Sequence, residues 1–184
     1  MKGFTREDPR VALCGLNCLL CQMNVGGYCP GCGGGAGQQS CPKAKCARDR
    51  GIFDFCAACK DYPCEKYEGV GQYDSFLPTS RMRADMERVQ RMGMEAYTAE
   101  LEEKRAILDY LLEHWNDGRR KGLYLTAVYL LELEELRGAV EGVRMETPGD
   151  EEQKARAAKM AAALQRAAAQ RGISLKLNKK PKQR

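Results

Sequence analysis

Apolar residues recur every three to four positions over the second half of the chain, and before residue 81 they do not. Met82, Met86 and Val89 fall at i, i+4 and i+7, one face of a helix over 81–93 that Gly93 ends or bends. A second helix is predicted over 94–115, with Leu101, Lys104, Leu108, Leu111 and Trp115 on a stripe that Ile107 and Leu112 widen. Asn116-Asp117-Gly118 reads as its stop. A third helix over 122–140 is strongly apolar, from Leu123 and Leu125 through Val128, Tyr129, Leu130 and Leu131 to Leu133, Leu136 and Val140, which makes it the central helix of this part. Thr147-Pro148-Gly149-Asp150 is a turn, and Asp150 is placed to cap a fourth, alanine-rich helix to Arg171. After Gly172, Ile173-Ser174-Leu175-Lys176-Leu177 alternates like a short strand.

The earlier part is punctuated by cysteine instead. All ten cysteines lie between residues 14 and 64: Cys14, Cys18, Cys21, Cys29, Cys32, Cys41, Cys46, Cys56, Cys59 and Cys64. Cys18/Cys21, Cys29/Cys32 and Cys56/Cys59 are C-x2-C pairs, a spacing that lets two thiolates of one tight turn reach one metal ion. Gly15 suits a turn between ligands. In Cys29-Pro30-Gly31-Cys32-Gly33, Pro30 presets φ and a glycine supplies the left-handed residue, a turn that aims backbone N–H groups at sulfur. Gly33-Gly34-Gly35-Ala36-Gly37 is a connector; no Gly-Lys-Ser/Thr follows, so it is not read as a phosphate loop. A short helix is expected over 44–50, stopped by Gly51. Gly69, Gly71, Pro78, Thr79 and Ser80 break any long period, and Phe76 and Leu77 are expected to dock this joint. The reading is therefore mainly α. A small, irregular, metal-stapled module over 10–68 and a linker over 69–80 precede a region of about four helices over 81–171. A short strand and basic tail follow over 172–184.

A staple is needed because the larger apolar side chains of the module are few: Leu16, Leu19, Leu20, Met23, Val25, Tyr28, Ile52, Phe53, Phe55 and Tyr62. Segments this short are marginal without one. A structural zinc contributes roughly 10–16 kcal/mol of apparent binding energy in a small peptide site. Metal removal is therefore expected to unfold the module. Ten thiolates fill two four-cysteine sites and leave two. The sequential split is Cys18, Cys21, Cys29 and Cys32 for one, with Cys41, Cys46, Cys56 and Cys59 for the other, and Cys14 and Cys64 spare. A cross-braced arrangement fits the spacing equally. A zinc held by four thiolates carries a net −2, which Lys43, Lys45, Arg48, Arg50 and Lys60 are placed to offset.

Composition narrows the function classes. Hydrophobic residues make up 43% and charged residues 30%, with a net charge of +5. The excess is uneven: Arg171, Lys176, Lys179, Lys180, Lys182 and Arg184 have no acid among them, a basic tail that suits nucleic acid, and removal of residues 178–184 is expected to leave folding unaltered. Met1–Arg10 holds no apolar segment of a secretory leader and no run spans a membrane, so a cytoplasmic location with reduced thiols is expected. His114, the single histidine, lies in the last turn of its helix, where the helix dipole favours it. Without a partner it is a poor ligand or catalyst. Arg119, Arg120 and Lys121 open the next helix against its dipole; solvation alone accounts for them, with an acid elsewhere or a bound anion as the alternatives.

Several of these residues carry a resemblance. Cys14-Gly15-Leu16-x-Cys18-x2-Cys21, Cys29-Pro30-Gly31-Cys32, Lys45-Cys46-Ala47 leading through Gly51 to Cys56-x2-Cys59, and Tyr62-Pro63-Cys64-Glu65 resemble a family of bacterial and archaeal proteins known as domain of unknown function 3795. Longer members look similar at Gly93-Met94-Glu95-Ala96, at Asn116-Asp117-Gly118-Arg119 and in the helix through Leu130-Leu131. The resemblance implies a zinc-binding, cysteine-rich domain with no established activity. One departure bears on the second site: several members carry a further cysteine three residues before the one matching Cys41, where this chain has Gln38.

Three functions are weighed. The first is a zinc-stapled interaction or adaptor module, with two zinc ions and a protein partner, because all-cysteine sites are closed and structural. The second is an iron–sulfur redox protein, since soft thiolates suit both. The third is an enzyme. Cys14-x3-Cys18-x2-Cys21 has the radical S-adenosylmethionine spacing, but the strand–helix alternation of that barrel is missing. An uncoordinated Cys14 or Cys64 would be a reactive thiol.

Overall fold

The computed structural model describes residues 4–51 and 54–181. Ile52 and Phe53 of the small apolar set, and Lys182 and Arg184 of the tail, lie outside the described residues. Among the described residues the chain is mainly helical, and its one β feature is an isolated antiparallel bridge between Val11 and Asn17. The helices are α1 (Gln22–Val25), α2 (Pro42–Arg50), α3 (Met82–Met92), α4 (Met94–His114), α5 (Lys121–Leu130), α6 (Leu133–Glu146) and α7 (Gln153–Gln170).

Local chemistry accounts for most of these limits. Helix α2 begins two residues earlier than expected, because Pro42 takes the first position and the Cys41 thiol caps it, accepting from Ala44 N at 3.3 Å. Gly51, at φ 69°, ends it left-handed. Helix α3 buries Met82, Asp85, Met86 and Val89 on one face. The expected third helix is two. It breaks at Leu131, where the chain turns extended, and Glu132 restarts it through a capping box with Glu135. Helix α7 starts after Glu152, not at Asp150, with no side-chain cap. The segment after Gly172 is not a strand. Its alternation is real, with Ile173, Leu175 and Leu177 half-buried and Ser174 and Lys176 exposed, but no neighbouring strand completes a ladder.

The chain separates into two compact units. One takes in the chain up to Leu101 together with the segment from Asn178; the other is Glu102–Leu177. The division falls inside α4, not in the 69–80 joint. The core of the first unit gathers Phe4, Ala12, Leu13, Cys14, Ala44, Ala47, Tyr67, Met82 and Met86. The cysteine-rich part thus draws on α3 for apolar burial that its own sequence lacks. Tyr28, counted above as core, is instead 72% exposed.

The tail does not hang free at its start. Asp74 N donates to Asn178 O at 2.7 Å, and Asn178 N donates to Asp74 Oδ2 at 2.8 Å. Asn178 Nδ2 donates to Gln72 O at 2.6 Å. These hydrogen bonds give residue 178 a fixed place, against which the expected dispensability of residues 178–184 is to be tested.

In the second unit α7 packs on α5 and α6. Its buried alanines, Ala157, Ala161, Ala163 and Ala168, let the helices approach closely. Lys104, on the predicted apolar stripe, is 3% exposed and donates to Leu131 O at 2.7 Å, satisfying the carbonyl where α5 ends. No helix among the described residues is long and apolar enough to cross a membrane.

Candidate metal centre

The first cysteine run folds back on itself. Ala12 N donates to Leu16 O at 2.7 Å and Gly15 N to Ala12 O at 2.8 Å, so the loop closes over the Val11–Asn17 bridge and holds Cys14 in the core. Gly15 has φ +92°, and a Cβ there would lie 2.0 Å from the Met82 carbonyl oxygen; only glycine lets the loop rest on the start of α3. A short 3-10 turn over Cys18–Leu20 and then α1 carry Cys18 and Cys21. Met23 O accepts from Tyr28 N at 2.8 Å and Cys29 N at 3.1 Å, which returns the chain toward Cys21. Arg6 clamps the next turn, donating to Cys32 O at 3.3 Å and Asp54 O at 3.0 Å while its guanidinium lies 5.5 Å from the Phe55 ring centre.

All ten cysteines are free, and they separate into two clefts of the first unit. The larger, of about 640 Å³, is walled by Cys14, Cys18, Cys21, Cys29, Cys32 and Cys41 among apolar side chains such as Leu13, Leu16, Met23 and Val70. The smaller, of about 340 Å³, is walled by Cys46, Cys56, Cys59 and Cys64 with Lys43, Arg50, Asp61 and Lys66. Neither follows the sequential split: Cys41 lies with Cys14, and Cys64 joins Cys46, Cys56 and Cys59. Two links tie the clefts together. Cys56 N donates to Leu13 O at 2.8 Å, and the buried Tyr67 hydroxyl hydrogen-bonds the Cys56 thiol and lies 3.5 Å from Cys14 O.

Burial and hydrogen bonding pull the thiols in opposite directions. Burial pushes Cys14 up to about 12, against a backbone hydrogen bond from Leu16. Burial also raises Cys18, Cys21, Cys32 and Cys56. Backbone donors oppose it: Cys32 at Cys18, Met23 and Asn24 at Cys21, and Leu13 at Cys32. Within the larger cleft Cys14 feels Cys41 and Cys32, and Cys18 feels Cys32 most among the cysteines. Buried sulfur surrounded by N–H groups suits a thiolate whose charge a cation neutralises. Among the described residues, though, no group of three or more Cys, His, Asp or Glu is arranged to hold an ion directly.

The expected cations divide. Lys43 lies over the Tyr67 ring at 4.9 Å and borders both clefts, and Arg50 reaches Cys59 Sγ at 3.5 Å while pairing with Asp61. Arg48 pairs with its neighbour Asp49, and Lys45 and Lys60 face solvent. Lys66 borders both clefts and was not foreseen. Gln38 Oε1 accepts from Gly33 N at 2.8 Å, so that N–H is used by the amide rather than by sulfur. His114 borders neither cleft; it is exposed beside the Tyr110 ring. The cations opening α5 are offset by an acid: Asp117 accepts from Arg119 N at 3.0 Å and pairs with Arg120 at 3.5 Å. The Arg119 N–H holds the Asp117 carboxyl below the usual range. Arg6, Tyr67 and Lys66 escaped sequence reasoning because single residues far from the C-x2-C pairs leave no spacing signal.

No protein-family model matches the chain. No curated protein and no solved structure matches it either.

Proposed function

We propose that residues 14–64 are a thiolate metal module that holds two zinc ions and serves as a structural staple for a protein-interaction surface. Cys46, Cys56, Cys59 and Cys64 take one ion. Cys14, Cys18, Cys32 and Cys41, which line the larger cleft and act on one another, take the second. Cys21 and Cys29 stand beside it. The observation that carries this reading is the segregation of ten free thiols into two clefts, one of them bordered by four cysteines and a set of cations. Soft thiolates select zinc or iron–sulfur, and closed all-cysteine sites are structural. Because ligand thiols must ionise, and burial holds several of them protonated, loading the module releases protons.

The volume of the smaller cleft favours one second reading. That cleft is bordered by four cysteines, the ligand number of an iron–sulfur cluster, and at about 340 Å³ it has room for one. Single Cys→Ser variants test the assignment by metal stoichiometry. Cys64→Ser and Cys32→Ser should each lose one equivalent, from different clefts, and a Cys32→Ser Cys64→Ser double variant should lose both. Full metal retention in either single variant contradicts the grouping. A brown sample absorbing near ~400 nm moves the smaller cleft to iron–sulfur.

A further inference from the structure

Behind the larger cleft lies a set of buried polar side chains with no ligand role of their own. Asn17 stands between Cys14 and Cys18 and is 3% exposed. Its Nδ2 donates to Asp85 Oδ2 at 3.3 Å, and its Oδ1 accepts from Tyr97 OH at 3.1 Å. Asp85 on α3 and Tyr97 on α4 are buried as deeply, and Arg81 Nε lies 3.6 Å from Asp85 Oδ1. An apolar residue would fill the Asn17 site without needing partners; an amide is tolerated there only if each of its groups is matched. Matched on both sides, it allows one orientation. The loop has little other freedom, since Gly15 rests on the Met82 carbonyl.

We propose that Asn17, held by Asp85 and Tyr97, is a positioning residue for the thiols of Cys14 and Cys18. Helices α3 and α4 thus set the geometry of the larger cleft from behind. None of the three residues lines either cleft, but Asn17 lies in the chain between two cysteines of the larger one, whereas the cysteines of the smaller cleft all come after Lys45. The consequence for metal retention rests on the reading above; the placement of the thiols does not. Groups that orient metal ligands change affinity by about 10–100-fold when removed. Asn17 acts through the backbone, so the lower end applies.

Tyr97→Phe is the variant of choice, because it keeps the ring and deletes only the hydroxyl that serves Asn17 and Asp85. Tyr124→Phe is the comparator: it also removes a buried tyrosine donor, to Trp115 O at 2.7 Å, but in the other unit. Full-length protein is treated with chelator and N-ethylmaleimide, and each cysteine is followed by peptide mapping. Cys14 and Cys18 should label about tenfold faster in Tyr97→Phe, with Cys46, Cys59 and Cys64 within about twofold of wild type. Tyr124→Phe should match wild type throughout. Equal acceleration in both clefts, no acceleration in either, or the same pattern in Tyr124→Phe overturns the proposal. The labelling is repeated on protein stripped of metal, and metal content is measured on every sample. A wild type without metal defeats the metal reading, whereas the ratio between clefts in stripped protein still decides the positioning role.

Discussion

Replacing Gly15 by alanine tests how the first cysteine loop is seated. The added Cβ would lie 2.0 Å from the Met82 carbonyl oxygen and 2.9 Å from its carbon, both of them backbone atoms that cannot swing aside. An L residue at positive φ costs about 1–2 kcal/mol. Relieving the overlap moves either the loop or the first turn of α3, an overpacking cost of about 1–3 kcal/mol. The expected loss is therefore about 2–5 kcal/mol. At about 4–8 °C per kcal/mol for a unit of this size, the melting temperature should fall by ~8 °C or more. Gly51→Ala separates the two contributions: its φ is +69° but nothing lies within 4 Å of the added carbon, so only the ~1–2 kcal/mol dihedral cost applies. Thermal unfolding followed by circular dichroism compares them, with metal content measured alongside. Equal losses in the two variants would refute the seating of the Cys14–Cys18 loop on α3.

Two further perturbations address the rest of the chain. Lys104→Met removes the ammonium that meets the Leu131 carbonyl, and loss of a buried charged hydrogen bond should destabilise the second unit by about 1–3 kcal/mol; a melting temperature that holds or rises would mean that burying the charge costs as much as its bond returns. Deleting residues 178–184 removes the pairing of Asn178 with Asp74 and Gln72 and should speed proteolysis within residues 69–80, with a stability loss of about 1–3 kcal/mol. Unchanged cleavage would show that the tail contact does not persist in solution.

The helical half of this chain was largely legible, because period and punctuation agree there. Met82, Met86 and Val89 mark the buried face of α3, and Lys104 sits on the apolar stripe of α4 and is buried in fact. The break between α5 and α6 was hidden, since Leu130-Leu131 and Leu133 continue the apolar run. Glu132 and Glu135, three apart, were the signal, a capping box built on glutamate rather than serine or threonine. The alternation over 173–177 misled because period 2 describes exposure, whereas a strand also needs a partner. In the cysteine region the spacing named the chemistry but not the grouping, which depends on how distant turns meet. The apolar shortage of this region was overstated for the same reason. Phe4, Tyr67, Met82 and Met86 come to its core from outside the stretch or were not counted. Asn17 reads as an ordinary loop residue until Asp85 and Tyr97, 68 and 80 positions away, are placed beside it.

That added burial sharpens the question put to the metal. With α3 in the core, part of the first unit can stay collapsed after chelation, so loss of the cysteine region and of the helical signal need not coincide. Elemental analysis of protein purified without added metal, paired with native mass spectrometry, is the most direct check. Two equivalents of zinc per chain, or iron with labile sulfide in the smaller cleft, is the predicted result. A folded chain carrying neither metal, with its ten thiols all free to react, would contradict it.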